Sequence, residues 1–163
     1  VNYLEKITRN FEIWLNTTYI DLIDVLSVEQ PFFMILEEGY QRQSKPDIVT
    51  KTHIVDFKSG HRSYGRELKW QLGSYEETVS SVCPDSVPVG GWKLTNVFLG
   101  NSEPKEVTYD KNLIREAMES YHAAEQQLIE VDRLIRSDSS YMAPCKISIS
   151  CCFCEFRHMC RGV

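Results

Sequence analysis

The chain has 163 residues, of which 42% are hydrophobic and 25% are charged, and its formal net charge is −5. This length suits one domain or slightly more and is enough to bury a hydrophobic core. No apolar run approaches the roughly 18 residues of a membrane helix, and the first residues mix charged and apolar positions unlike a signal peptide. The negative balance argues against a protein that coats nucleic acid without specificity. We therefore expect an intracellular protein with no membrane partner, in the cytoplasm or, for a viral protein, in the host cytoplasm.

Hydrophobic periodicity along the chain predicts the elements. Residues 3–26 carry apolar positions at roughly helical spacing, which indicates one helix or two. Strand-forming runs and segments with one apolar helical face (period 3.6) follow. The apolar face of the last segment, which includes Leu128 and Ile135, is expected to pack against a core. The predicted strands are 32–36, 47–50, 53–58, 92–99 and 106–109, and the predicted helices are 66–82 and 111–136.

This order predicts an α/β fold with a mixed central sheet of four or five strands flanked by helices, followed by a cysteine-rich lobe. We divide the chain into an N-terminal helical segment (1–30), a core (31–136) and a C-terminal cysteine-rich tail (137–163).

Residues 54–58 read Ile-Val-Asp-Phe-Lys, a strand in which charged and apolar side chains alternate. Alternation puts Asp56 and Lys58 on one polar face. Asp47, at the start of a neighbouring strand, could supply a second carboxylate to Mg²⁺ or Mn²⁺, which prefer oxygen ligands. The main-chain carbonyl of Phe57 is a third candidate ligand, and Lys58 could hold and polarise an attacking water. The alternative is a strand edge with solvated carboxylates and a surface lysine.

A basic segment follows this strand. Between Lys58 and Lys69 the chain has Arg62 and Arg66, with His61 interleaved and Glu67 as the opposing acid. Such a segment beside carboxylates suits a phosphodiester substrate. The alternative is a solvated surface loop. The candidate nucleic-acid-binding residues are His61, Arg62, Arg66 and Lys69.

Four of the six cysteines fall within the last thirteen residues. This crowding favours a metal or cluster site in a reducing compartment over disulfides. Zinc and a 4Fe–4S cluster both accept four thiolates, so both stay open from the spacing.

Pro46-Asp47, a short gap and Asp56-x-Lys58 resemble the core motif of the PD-(D/E)xK nucleases, which have a restriction-endonuclease-like fold. Gln71 and Tyr75, four residues apart, resemble the Q-x-x-x-Y motif of the RecB-like branch. The resemblance implies a Mg²⁺- or Mn²⁺-dependent deoxyribonuclease, an exonuclease acting on single-stranded or frayed DNA ends. It implies that Gln71 and Tyr75 orient the lysine and contact the nucleic-acid backbone. The implied partners are single-stranded DNA and a helicase or another recombination or repair protein.

The C-terminal Cys151-x2-Cys154-x5-Cys160 resembles the cluster-binding tail of the iron–sulfur members, namely the CRISPR-associated exonucleases and AddB-type helicase–nuclease subunits. That resemblance implies a structural 4Fe–4S cluster. The family takes its fourth cysteine and a histidine from a segment upstream of the first strand, and neither residue precedes Asp47 here. Cys145 is the favoured substitute ligand, with Cys83 and Cys152 as alternatives.

These departures leave two rival hypotheses. The first is a catalytically inactive nuclease-fold module that binds DNA or protein, and the second is a zinc-bearing structural domain. A further acid near the metal is expected from Glu37 or Glu38, just after the first predicted strand.

Overall fold

The computed structural model describes residues 2–20, 22–61 and 65–138. The helices are α1 (Tyr3–Thr17), α2 (Arg66–Val82) and α3 (Lys111–Ser137). The strands are β1 (Val25–Val28), β2 (Phe32–Ile35), β3 (Gln41–Ser44), β4 (Ile48–Thr50), β5 (His53–Lys58), β6 (Lys93–Phe98) and β7 (Lys105–Thr108). Short 3₁₀ turns at Leu22–Asp24, Glu37–Gly39 and Pro84–Ser86 link some of these elements.

Five strands form the central sheet in the order β1–β4–β5–β6–β7, and β2 and β3 form a separate antiparallel hairpin. β5 and β6 are parallel, whereas the other neighbouring pairs are antiparallel. A parallel pair needs a crossover connection, and α2 supplies it between β5 and β6. The mixed α/β architecture with five strands confirms the predicted fold class for this part of the chain.

Two hydrophobic clusters are built on alternating residues of the central sheet. Val55 of β5 belongs to the cluster that includes α1, and Ile54 belongs to the cluster that includes α2. Because successive side chains of a strand point to opposite faces, α1 and α2 cover opposite faces of the sheet. The α1-side cluster contains Trp14, Ile20, Ile48, Val55, Val97 and Leu99. The α2-side cluster contains Phe32, Val49, Ile54, Leu72, Tyr75, Val79, Trp92, Leu94, Ile114 and Met118.

The chain divides into two compact units, residues 1–121 and 122–163. The first contains α1, both sheets, α2 and the beginning of α3. Of the second, the structure describes the rest of α3 and Asp138, where Arg136 pairs with Asp132 at 2.6 Å along the helix. The cysteine-rich lobe predicted for 137–163 lies almost wholly outside the described residues, and the predicted domain boundaries stay predictions.

The predicted bounds of β5 and α2 are confirmed. The N-terminal segment differs, because α1 ends at Thr17 and Val25–Val28 joins the central sheet as a strand. The α3 stripe is also only partly buried: Leu128 is 69% exposed and Ile135 is 46% exposed. Among the described helices, none is long and apolar enough to cross a membrane.

Candidate active site

Asp56 and Lys58 of β5 point toward α2. Ile54 lies on the same face of the strand and packs in the α2-side cluster. The Asp56 side chain is 4% exposed, the Lys58 side chain is 23% exposed, and Lys58 Nζ lies 2.7 Å from Asp56 Oδ2. The prediction that these residues share a face is confirmed. The alternative of a strand edge with solvated carboxylates and a surface lysine is excluded, because β5 is the middle strand of the sheet and α2 covers this side of it.

Gln71 and Tyr75 of α2 complete a network with that pair. Lys58 Nζ donates to Gln71 Oε1 at 2.5 Å, and Gln71 Nε2 donates to the Tyr75 hydroxyl at 2.7 Å. The Tyr75 hydroxyl lies 3.5 Å from Asp56 Oδ1. Residues four apart lie on one helical face, so a single face of α2 supplies both side chains. The structure thus joins the four predicted residues in a closed ring of polar contacts.

Asp47 approaches the same strand from the other side. It directly precedes β4, and its Oδ2 accepts the main-chain N–H of Phe57 at 2.6 Å. The N–H and C=O of one strand residue point to the same neighbouring strand. The carbonyl of Phe57 therefore points toward β4 as well, on the Asp47 side of β5.

Glu29 is the glutamate that the structure places beside Asp47. Its main-chain N–H donates to the Asp47 carbonyl at 2.9 Å, and its side chain forms a hydrogen bond with the Asp47 carboxyl. Lys45 pairs with the Glu29 carboxylate. We expected Glu37 or Glu38 here, but they form the turn between β2 and β3. Glu29 has a positive φ of 51°, which is uncommon outside glycine. Hydrophobic patterning does not reveal this backbone conformation, so the position of Glu29 was not predicted.

Burial raises the pKa values of Asp47, Asp56 and Tyr75. Burial raises the pKa of Asp47 to about 6 despite the Phe57 N–H, and the charges of Asp56 and Glu29 add to the increase. Burial also raises the pKa of Asp56, against the opposing effect of Lys58. The Tyr75 pKa is raised, first by burial and then by the Asp56 charge. Strongly perturbed groups that lie together are a feature of functional sites.

The donor set fits a hard divalent cation of the Mg²⁺ type. The charge of Asp56 helps to raise the pKa of Asp47, and a bound cation would offset this repulsion. Within the described part of the chain, no cluster of three or more His, Cys, Asp or Glu side chains is arranged to hold a metal. Mg²⁺ usually binds through one or two carboxylates and keeps several waters or substrate oxygens. Asp47, Asp56 and the Phe57 carbonyl match that mode.

The N-terminal half of α1 holds the backbone where β5 and β6 end. The Tyr3 hydroxyl donates to the Ser59 carbonyl at 2.5 Å, and Lys6 Nζ donates to the Gly100 carbonyl at 2.7 Å. Asn10, which is 0% exposed, donates to the Leu99 carbonyl at 2.7 Å. These bonds fix the start of the basic segment that follows Lys58.

The predicted nucleic-acid-binding residues line two different clefts. His61 lines one of about 480 Å³ together with Lys58. Arg66 and Lys69 line another of about 410 Å³, which is bordered by the first turns of α3. Arg62 lies outside the described residues, so its predicted role stays a prediction.

Most of the predicted cluster ligands also lie outside the described residues, namely Cys145, Cys151, Cys152, Cys154 and Cys160. Cys83 is described. It is a half-buried free thiol at the end of α2 that packs against the α2-side cluster. The iron–sulfur site stays a prediction.

Comparison with known proteins gives similarity to solved structures and no sequence match. No protein-family model matches the chain, and no curated protein matches its sequence. The fold is similar to the crystal structure of a protein from Eubacterium rectale described as a "putative exonuclease", with a TM-score of 0.58 and 14% sequence identity. The match covers 90% of this chain and 64% of that protein, so this chain spans under two thirds of its length. At this identity the likeness shows a shared fold.

Proposed function

We propose that this chain is a metal-dependent nuclease that hydrolyses phosphodiester bonds in DNA, as an exonuclease acting on single-stranded or frayed ends. The observation that carries the proposal is the ring of contacts through Lys58, Gln71, Tyr75 and Asp56. Burying a carboxylate and a lysine head group costs free energy that apolar side chains would avoid. Function explains such a ring better than core packing does. The motif resemblance and the fold shared with the Eubacterium rectale protein support the same class of activity, and the preference for DNA ends rests on the resemblance.

The chain supplies the ligands for a cation at one edge of β5. Asp47, Asp56 and the Phe57 carbonyl would hold Mg²⁺ or Mn²⁺, with substrate and water oxygens completing the shell. When bound, the cation supplies Lewis acidity that activates a water and neutralises charge on the scissile phosphate.

Lys58 is the residue that acts on the reacting atoms. Its ammonium group pairs with Asp56, and Gln71 fixes its position through the 2.5 Å hydrogen bond. The remaining N–H donors orient the attacking water and stabilise the charge that develops on the phosphoryl oxygens. The Tyr75 hydroxyl accepts a hydrogen bond from the Gln71 amide, so Tyr75 orients the side chain that in turn orients the Lys58 ammonium group.

The charged side chains around the ring would bind the DNA backbone. Lys58 and His61 share the cleft at the end of β5. Arg66 and Lys69, from the first turn of α2, present positive charge in the second cleft. Phosphate contacts of this kind bind without reading sequence, which suits an enzyme that digests strand ends.

The cysteine tail belongs to the proposal only through its resemblance to the tail of the iron–sulfur nucleases. Cys151, Cys154 and Cys160, with Cys145 as the fourth ligand, would hold a structural 4Fe–4S cluster. A helicase or another recombination or repair protein is the proposed partner, because the related iron–sulfur nucleases act beside such enzymes.

Degradation of end-labelled single-stranded DNA with Mn²⁺ tests the proposal. Lys58→Ala should lower the rate by about 10²–10³-fold, because it removes the group that stabilises transition-state charge. Lys51→Ala is the matched control. That lysine lies before the opposite end of β5 and pairs with Asp24 at 2.5 Å, so its loss should leave the rate unchanged. Near-normal cleavage by Lys58→Ala would exclude the mechanism. DNA binding without cleavage by the wild-type protein would favour the inactive-module hypothesis.

A further inference from the structure

Asn96 of β6 lies beside Asp56 on the neighbouring strand. β5 and β6 are parallel and in register, and Asp56 is paired with Asn96. Paired residues of neighbouring strands point to the same face of a sheet, so the Asn96 amide lies on the α2 side with the Asp56 carboxylate. Asn96 is 0% exposed and Asp56 is 3% exposed. A fully buried amide therefore adjoins the buried carboxylate of the candidate site.

The buried Asn96 Oδ1 has no hydrogen-bond donor among the described residues. Asp56 Oδ2 differs, because the Lys58 ammonium lies 2.7 Å from it. Buried polar atoms are almost always hydrogen-bonded, and an exception calls for an explanation. A water that bridges the two side chains would donate one hydrogen bond to Asn96 Oδ1 and the other to the Asp56 carboxylate. A 180° rotation of the amide would instead let its NH₂ group donate to Asp56 directly.

Tyr109 anchors the other end of the amide. Asn96 Nδ2 donates to the Tyr109 hydroxyl at 3.3 Å, and the Tyr109 main-chain N–H donates to the Leu94 carbonyl at 3.0 Å. Burial raises the pKa of Tyr109, the Asn96 hydrogen bond opposes this effect, and the charge of Asp56 adds to the increase. Tyr109, which is partly buried, and Asn96 therefore lie together on the β6 side of Asp56, whereas Asp47 approaches from the β4 side.

We propose that Asn96, anchored by Tyr109, is a positioning residue that orients the Asp56 carboxylate toward its metal. This inference rests on the proposed function, since the oriented group is the proposed metal ligand. The partners of metal ligands typically contribute 10–100-fold to metal affinity. A residue that only filled the core would affect stability and leave metal affinity unchanged.

Asn96→Leu tests the proposal, because leucine has a similar volume and no amide. We expect the Mn²⁺ dissociation constant, measured by calorimetry, to rise by about 10–100-fold. The unfolding midpoint in urea should change little, because the change removes an unpaired buried acceptor together with the hydrogen bond to the partly buried Tyr109 hydroxyl. Tyr109→Phe keeps the ring and loses the anchor, so it should weaken Mn²⁺ binding by a smaller factor and serves if Asn96→Leu fails to fold.

Thr95→Val is the matched control. Thr95 is also 0% exposed and on β6, but it points to the opposite face, where its hydroxyl bonds Thr108 at 2.8 Å. This variant should lower the unfolding midpoint, because it removes the hydrogen bond to Thr108. It should leave the Mn²⁺ affinity within about twofold of wild type, because Thr95 points away from the proposed metal ligands. An unchanged Mn²⁺ affinity in both Asn96→Leu and Tyr109→Phe would overturn the proposal.

A double-mutant cycle in metal-free protein separates this inference from the proposed function. The cycle combines Asn96→Leu with Asp56→Asn and measures the urea midpoint of each variant. Residues in contact change stability non-additively, whereas independent residues add. Non-additive midpoints support the contact even if the wild-type protein binds no Mn²⁺, in which case the proposed function fails alone. Additive midpoints overturn the inference whatever the metal does.

Discussion

Asp47 is a half-buried carboxyl whose pKa is raised from its ordinary value of 3.8 to about 6. Between these values the folded state keeps a proton that the unfolded state releases, so stability falls as pH rises from about 4 to about 6. Above pH 6 both states are ionised and the loss is complete. A two-unit shift corresponds to about 3 kcal/mol, which solvent screening of this partly exposed group reduces to about 1 kcal/mol.

Asp47→Asn should therefore stabilise the metal-free protein at pH 7 by about 1 kcal/mol and have little effect at pH 4. The amide oxygen can still accept the Phe57 N–H, which keeps the local geometry. Urea unfolding of both proteins across this pH range measures the difference. A difference that stays constant from pH 4 to pH 7 would contradict the assignment of the shift to Asp47.

At the residue scale, the sequence predicted which side chains meet but not how deeply they lie. The alternation of β5 and the four-residue spacing of Gln71 and Tyr75 were sufficient to predict the shared faces. The 3% exposure of Asp56 was not predictable, because it depends on α2 crossing over β5. Glu29 was missed for a similar reason, since its contact with Asp47 depends on a turn with positive φ.

At the scale of elements, Gly100 limits how closely the segments after β5 and β6 can approach. A Cβ atom at Gly100 would lie 2.2 Å from the Ser59 carbonyl oxygen and 2.7 Å from that of Gly60. Gly100→Ala must therefore displace the backbone that follows Lys58. We expect a loss of about 1–3 kcal/mol in the free energy of unfolding, typical of overpacking, with lower nuclease activity because Lys58 shifts.

Gly60→Ala is the control for that prediction. It lies in the same contact, but its own Cβ would meet nothing within 4 Å. Urea unfolding and the DNA assay should find it close to wild type. Equal tolerance of the two alanine variants would show that the close approach of Gly100 is unimportant.

The first turn of α2 carries a separate prediction about DNA binding. Arg66 is exposed in the cleft that Lys69 also lines. If Arg66 contacts one phosphate, Arg66→Ala should reduce the slope of log affinity against log salt by about 0.7 for a single strand. Arg115→Ala, in which an exposed arginine of α3 bonded to Asn112 is lost, should leave the slope unchanged. Identical slopes for Arg66→Ala and wild type would favour the alternative that this turn is solvated surface with no role in DNA binding.

Two strands were missed because their burial does not follow hydrophobicity. In β1 the buried position is Ser27, whereas Leu26 and Val28 are exposed. In β3 the buried positions are Arg42 and Ser44. Arg42 pairs with Glu77 of α2 at 2.6 Å, and the Ser44 hydroxyl bonds α2. Such strands depend on polar partners elsewhere in the chain, which periodicity cannot show.

At the scale of the whole molecule, removing a ligand of the proposed cluster tests whether the tail stabilises the rest of the protein. Cluster binding is coupled to folding, so loss of a ligand lowers the stability of whatever the site holds. Cys145 is the favoured fourth ligand, with Cys83 and Cys152 as the alternatives. Cys83 packs against the α2-side cluster, so Cys83→Ser can lower stability through packing alone, and iron content must be measured beside the melting temperature.

Cys→Ser at Cys151, Cys154 or Cys160 should each deplete bound iron and sulfide and lower the melting temperature, because a site that loses one thiolate fails as a unit. Cys152→Ser is the internal control. It lies between two proposed ligands and should retain most of the metal and the visible absorbance of the cluster. Anaerobic preparations, analysed for iron, sulfide and zinc, measure the outcome. Zinc in place of iron would favour the structural zinc hypothesis, and full metal content with unchanged stability in all three variants would exclude a cluster on this tail.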